Sequence, residues 1–91
     1  MLIEFDPAKD ARNQQKHGVS LALAETFDWA TVLSSPARTE HGEARLSVIG
    51  DIDGAVYVAI VTPRGERQRI ISLRLANRKE RRLYVTTIRH S

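Results

Sequence analysis

Seven residues, Ala55–Val61 (AVYVAIV), restrict the fold more than any other stretch of the chain. Apolar side chains fall on both faces of this run, so as a strand it needs cover from both sides and a central place in a sheet. The flanking turns supply its neighbours. Asp53-Gly54, directly before it, is a strong hairpin dipeptide, because both residues tolerate the positive φ of a tight turn. Ahead of that turn Ala44–Ile49 alternates, with Ala44, Leu46 and Val48 on one face and Arg45, Ser47 and Ile49 on the other. Behind the run, Pro63–Glu66 turns the chain into a third strand, Gln68–Ala76. On that strand Ile70, Ser72, Arg74 and Ala76 are expected on one face, with Arg69, Ile71, Leu73 and Leu75 on the other. The pattern predicts an antiparallel meander.

The elements around the meander follow from their caps. Leu2–Phe5 reads as a short strand. Asp6-Pro7 starts a helix, with an N-cap oxygen and a proline in its first turn, and Gly18 stops it after His17. The only apolar residues of that helix are Ala8 and Ala11, so it belongs on the surface or against another molecule. Val19-Ser20 opens a second helix whose Leu21, Leu23, Ala24 and Phe27 form an apolar stripe. Trp29 is a core anchor, and residues 34–43 are expected as a polar loop. Asn77 starts a last helix, with Glu80 three residues on as the return arm of a capping box. Leu83, Tyr84, Thr87 and Ile88 form its inner face. The expected architecture is α+β: a short N-terminal strand, two helices, an antiparallel sheet of three to four strands and a C-terminal helix, in a single domain spanning 1–91.

Composition narrows the chemistry. A chain of 91 residues has room for one modest core. Zero cysteines exclude disulfides and thiolate metal sites. His17, His41 and His90 are scattered. Asp51-Ile52-Asp53-Gly54 resembles the start of a calcium loop but lacks the remaining ligands. No metal and no cofactor is expected. No apolar run is long enough to span a membrane and no signal peptide is visible, so a cytoplasmic setting is the expectation.

Charge is the uneven feature. Residues 1–63 carry five basic and nine acidic groups, whereas residues 64–91 carry nine basic and two acidic. Such asymmetry points to a polyanion. Arginine suits phosphate because its planar fork donates two parallel hydrogen bonds. Three adjacent strands can present Arg45, Arg64 and Arg74 from one concave surface if their registers agree. Arg69, Arg78, Lys79 and Arg81 extend the cationic ground for substrate binding. The bland alternative is internal neutralisation by Glu43, Glu66 and Glu80. Tyr84 reads as core, or as a hydroxyl or stacking face for the arginine cleft. His17 sits at a helix C-terminus, where a positive imidazole is favoured. It and Glu43 are candidates for proton transfer.

Several stretches are together distinctive: Lys16–Phe27 (KHGVSLALAETF), Gly42–Gly50 (GEARLSVIG) and Val61–Tyr84 (VTPRGERQRIISLRLANRKERRLY). They resemble the BrnT family of ribonuclease toxins, most specifically at Arg69-Ile70-Ile71-Ser72, Arg74, Ala76, Glu80-Arg81 and Tyr84. The resemblance implies a RelE-like fold, RNA cleavage and inhibition of translation. It implies control by a cognate ribbon-helix-helix antitoxin, and so a hetero-oligomer with it. It also implies Arg64, Arg74 and Tyr84 as active-site residues, with Arg45 beside them. The expected reaction is metal-independent attack of a ribose 2′-OH on the neighbouring phosphorus, with arginines gathering the transition-state charge. The alternative is a non-catalytic module that binds nucleic acid or a protein partner through residues 64–82.

Overall fold

Both hairpins form where the turn residues put them. The computed structural model describes residues 1–39 and 42–89, the Arg89 side chain excepted. Strands β3 (Leu46–Ile52) and β4 (Ala55–Arg64) are joined by Asp53 and Gly54 at φ of 50° and 86°. Gly65, at φ 60°, turns β4 into β5 (Arg67–Leu75). β4 occupies the centre, as its apolar composition requires.

The sheet is larger than the meander. It has five strands in the order β1-β5-β4-β3-β2, and it is mixed rather than antiparallel. β1 (Leu2–Glu4) runs parallel to β5, pairing Leu2 with Arg67 and Glu4 with Arg69. β2 (Leu33–Pro36) pairs antiparallel with β3, so the expected loop over 34–43 begins as an edge strand. Its proline is tolerated because it ends an edge strand, where a missing N–H breaks no ladder. Glu40 and His41, within that expected loop, lie outside the described residues, as does His90.

Two cores lie on opposite faces of the sheet. The larger contains Val48, Ile52, Ala59, Val61, Ile70 and Leu73, covered by Leu21, Ala24 and Phe27. The covering segment, the expected second helix, is a six-residue 3₁₀ helix, Leu21–Thr26. Ser20 caps it as expected, accepting from the Ala22 N–H at 3.1 Å. Its apolar residues reach the core within six residues, so a longer helix is not needed to bury them. Trp29 meets Phe27 edge-on at 5.3 Å between ring centroids. Gly50 lies within β3 rather than at a turn, and the reason is contact: a Cβ there would fall 2.7 Å from the Phe27 ring.

The second core packs Ile49, Val58 and Ala76 against Tyr84 of α2 (Arg78–Arg89). The capping box forms as read: Asn77 Oδ1 accepts from the Glu80 N–H, and Glu80 Oε1 accepts from the Asn77 N–H, at 2.8 and 2.9 Å. The inner face is rotated from the expected one. Val85 packs beside Tyr84 and Ile88, whereas Leu83 is 53% exposed and Thr87 is exposed. β2 and β3 supply the surface under α2, and Leu33 of β2 packs from that strand.

A bulge in β5 resets which residues share a face. Val61 pairs with Ile70 and Ile60 with Ser72, leaving Ile71 unpaired. Strict alternation fails there, so Ile70 and Leu73 enter the same core. Arg69 and Arg74, expected on opposite faces, stand opposite Thr62 and Val58, which share one face of β4.

Helix α1 (Pro7–His17) is held by a polar residue. Asp6 caps it and Gly18, at φ 76°, stops it. Ala8 and Ala11 are exposed, and the one buried residue of the helix is Asn13, 5% exposed. Its amide nitrogen donates to the Leu73 carbonyl at 2.8 Å and to the Val19 carbonyl at 2.9 Å. Its amide oxygen accepts from the Leu73 N–H at 3.0 Å. Leu73 lies beyond the end of β1, so the Asn13 amide takes the place of a missing strand residue.

Candidate nucleic-acid interface

The bulge gathers arginines on one face of the sheet. Glu4 pairs with Arg69 across β1 and β5, and Arg69 pairs with Thr62 across β5 and β4. Arg45, half-buried, immediately precedes β3 at the same end, and its carbonyl accepts from the Ala37 N–H. Thr62 is 3% exposed, and its hydroxyl has no hydrogen-bond partner among the described residues. Arg74 lies on this face toward α2, and Arg64 lies at the hairpin end. Arg64 and the Arg74 partner Val58 are separated by about 20 Å of strand at roughly 3.3 Å per residue. That spacing suits successive points on a polyanion better than a single phosphate.

Each of three sheet arginines is held by a carboxylate. Arg74 makes a two-pronged contact with Glu80, at 2.7 and 2.8 Å. Arg69 meets Glu4 at 2.8 Å and Arg64 meets Glu43 at 2.8 Å. The pairs differ in their surroundings. Arg64 and Glu43 are both close to half exposed, so their attraction is weak. Arg74 and Glu80 are less exposed and geometrically matched. The Arg74 hydrogen bond holds the Glu80 carboxyl below its ordinary range, helped by the Asn77 N–H, and Glu80 raises the Arg74 guanidinium in turn. Glu80 therefore serves two masters, the helix cap and the arginine.

The other residues singled out in the sequence spread around this face. Tyr84 is 4% exposed, with its ring in the second core. Arg78, Lys79 and Arg81 are exposed on the first turn of α2. His17 is on the far side of β5, at the end of α1. Thus Arg64, Arg69 and Arg74 share a sheet face, Tyr84 lies beneath α2, and His17 stands apart.

A second basic region was not singled out in the sequence. An open groove of about 260 Å³ is lined by Lys9, Arg12, Asn13, Lys16 and His17 of α1, with Ile71 and Ser72 of the bulge. The helical positions 9, 12, 13, 16 and 17 form one continuous stripe, at the spacing that normally carries apolar core residues. Here it carries four basic groups and the tethering Asn13. The acidic residue of this helix is engaged elsewhere: Asp10 accepts from Ser20 Oγ, the Leu21 N–H and Gln14 Nε2. Among the described residues none of Lys9, Arg12, Lys16 and His17 forms an ion pair. Like charges at such spacing cost about 0.2–0.5 kcal/mol per pair. The spacing itself was visible in the sequence.

No three His, Cys, Asp or Glu residues among those described group closely enough to hold a metal ion. No described helix is long and apolar enough to cross a membrane.

Comparison with known proteins adds to this geometry. Residues 5–80 match a family described as ribonuclease toxin, BrnT, of type II toxin-antitoxin system. The fold is similar to the crystal structure of the Brucella abortus ribonuclease toxin BrnT, with a TM-score of 0.69 and 30% sequence identity. That match covers 86% of this chain and 99% of the Brucella chain. No curated protein sequence matches.

Proposed function

This chain belongs to the BrnT family of ribonuclease toxins of type II toxin–antitoxin systems, and from that premise we propose that it is a metal-independent endoribonuclease that halts translation by cutting RNA. The observation that carries the reading is the set of fixed arginines on one sheet face, beside the buried Thr62 hydroxyl. In the proposed reaction a ribose 2′-oxygen attacks the adjacent phosphorus, the P–O5′ bond breaks, and the products are a 2′,3′-cyclic phosphate and a free 5′-OH. Arg74 stabilises the charge that builds on the phosphoryl oxygens, while Arg64 and Arg45, at the far end of the sheet, hold phosphates further along the same backbone. Engagement of Arg74 requires the phosphate to replace Glu80. Arg69, Arg78, Lys79 and Arg81 bind the flanking backbone. Tyr84 belongs to the set through family resemblance, and its burial supports a role in seating α2. Arginine keeps its proton near neutrality, so proton transfer needs another group; of the two candidates, Glu43 stands beside Arg64, and His17 lies on α1 apart from the arginine face.

The same reading makes residues 1–91 one RelE-like domain acting in the cytoplasm. It is held inactive as a hetero-oligomer with a ribbon-helix-helix antitoxin, and it needs no cofactor. The test is incubation of the purified protein with RNA and with a DNA of the same sequence, in chelator, beside Arg74→Ala. RNA fragments ending in cyclic phosphate, intact DNA and a folded but inactive variant are expected. An uncut RNA overturns the activity, and a variant that cuts like the parent overturns the site.

A further inference from the structure

We infer that the groove between α1 and the β5 bulge is a second binding site, which takes a backbone phosphate of single-stranded RNA away from the arginine face. The inference rests on the ribonuclease reading above and adds a location to it.

Three observations converge on this groove. Its stripe of Lys9, Arg12, Lys16 and His17 is basic where a helix lying on a sheet ordinarily turns apolar residues inward. These basic side chains have no carboxylate partner among the described residues, whereas Arg64, Arg69 and Arg74 each have one. An anion entering here therefore displaces water alone. The opposite wall is also built rather than incidental. The bulge leaves Ile71 unpaired, and Ile71 and Ser72 form the wall opposite the helix; bulges recur beside functional sites. Asn13 clamps α1 to Leu73 through three hydrogen bonds counted with Val19, which fixes the cationic stripe opposite the bulge.

The chemistry of the lining selects the ligand. Lysine ammoniums and a guanidinium favour phosphate oxygens. The apolar wall of Ile71 offers contact to a sugar or base face. The groove is open rather than enclosed, which admits a continuous strand. It lies at the β1–β5 edge, and Arg69 stands on the same strand two residues before Ile71. A strand bound at the bulge thus continues toward the arginines.

The experiment uses the intact protein and an oligoribonucleotide with 2′-O-methyl groups, which binds but offers no attacking hydroxyl. Amide chemical-shift mapping is expected to move Lys9–His17 together with Ile71 and Ser72. The triple variant Lys9→Ala, Arg12→Ala, Lys16→Ala is expected to keep its circular dichroism and melting transition. Its log K against log salt should flatten by about 2, at roughly 0.7 per lost single-strand phosphate contact. The charge-keeping pair Lys9→Arg, Lys16→Arg should retain the parent slope. Shifts confined to the sheet arginines and α2, or an unchanged slope in the triple variant, overturn the groove. Poly-glutamate moving α1 while the oligoribonucleotide leaves it still assigns the groove to an acidic protein and likewise overturns the proposal. Cleavage of unmodified RNA by the parent is scored separately. A parent that cuts with a silent groove sinks the groove alone, and a parent that binds through α1 yet cuts nothing sinks the ribonuclease reading alone.

Discussion

On the sheet face Arg64, Arg69 and Arg74 lie 2.7 to 2.8 Å from Glu43, Glu4 and Glu80. On α1, Lys9, Arg12, Lys16 and His17 line a groove with no carboxylate partner among the described residues. The two regions teach different things about positive charge in a small domain. A cation on a strand within a sheet is partly desolvated, so folding gives it a counter-ion. A cation at the rim of a surface helix keeps its water, and its repulsion from like neighbours costs little. The first arrangement holds side chains in fixed positions. The second leaves them available.

Predictions can break that contrast. The largest effect is expected from Arg74→Ala, which should lower RNA cleavage by about 10²–10³ with the fold retained, measured as single-turnover rate beside circular dichroism. Activity near that of the parent would mean that the paired arginines are structural and the unpaired stripe carries the function. Next is Asn13→Ala. It leaves the Leu73 N–H and carbonyl without partners and should destabilise the protein by about 2–4 kcal/mol in urea unfolding. A loss below about 1 kcal/mol would mean that the cationic stripe is not tied to the sheet through this amide.

Glu80→Gln sharpens the sheet side by acid titration. The Glu80 carboxyl is held below its ordinary value of 4.5, foremost by Arg74. Its contribution is therefore complete above that value and disappears as pH falls through the lowered one. The parent should exceed the variant by about 1 kcal/mol at neutral pH, discounted for partial exposure, and the two curves should meet in strong acid. Glutamine can still close the capping box, so the difference isolates the charge. The smallest effect belongs to Arg64→Ala. Its half-exposed pair with Glu43 should be worth less than about 0.5 kcal/mol, read as an unchanged thermal midpoint. A large loss there would erase the distinction between shallow and sheltered pairs.

The local chemistry of this chain was legible in its sequence, and its long-range pairings were not. Asp53-Gly54, the Asp6 and Ser20 caps, Gly18 and the Asn77–Glu80 box each act within a few residues, so their side chains declare them. β2 reads as a loop because Leu33–Pro36 is short, polar and proline-terminated, and only the β3 edge makes it a strand. The parallel pairing of β1 with β5 joins residues more than sixty positions apart, which no local pattern encodes. The bulge at Ile71 moved Arg69 and Ile70 to the opposite faces from those expected relative to Ser72–Leu75, because alternation assumes an unbroken ladder. At the site, the density of basic residues along the sequence points to 64–82. The stripe at 9, 12, 13, 16 and 17 is sparser in sequence and becomes continuous only when wound on a helix. Glu4 as the partner of Arg69 was hidden for the same reason as β1 itself.

One carboxylate, that of Glu80, closes the first turn of α2 and grips Arg74 at the same time. A phosphate that claims the guanidinium competes with that carboxylate, and the Asn77 N–H shares in the competition. Ligand occupancy and fraying at the start of the helix are thereby two readings of one equilibrium. Faster amide exchange at Asn77, without any change deeper in the helix, is the signature such coupling leaves.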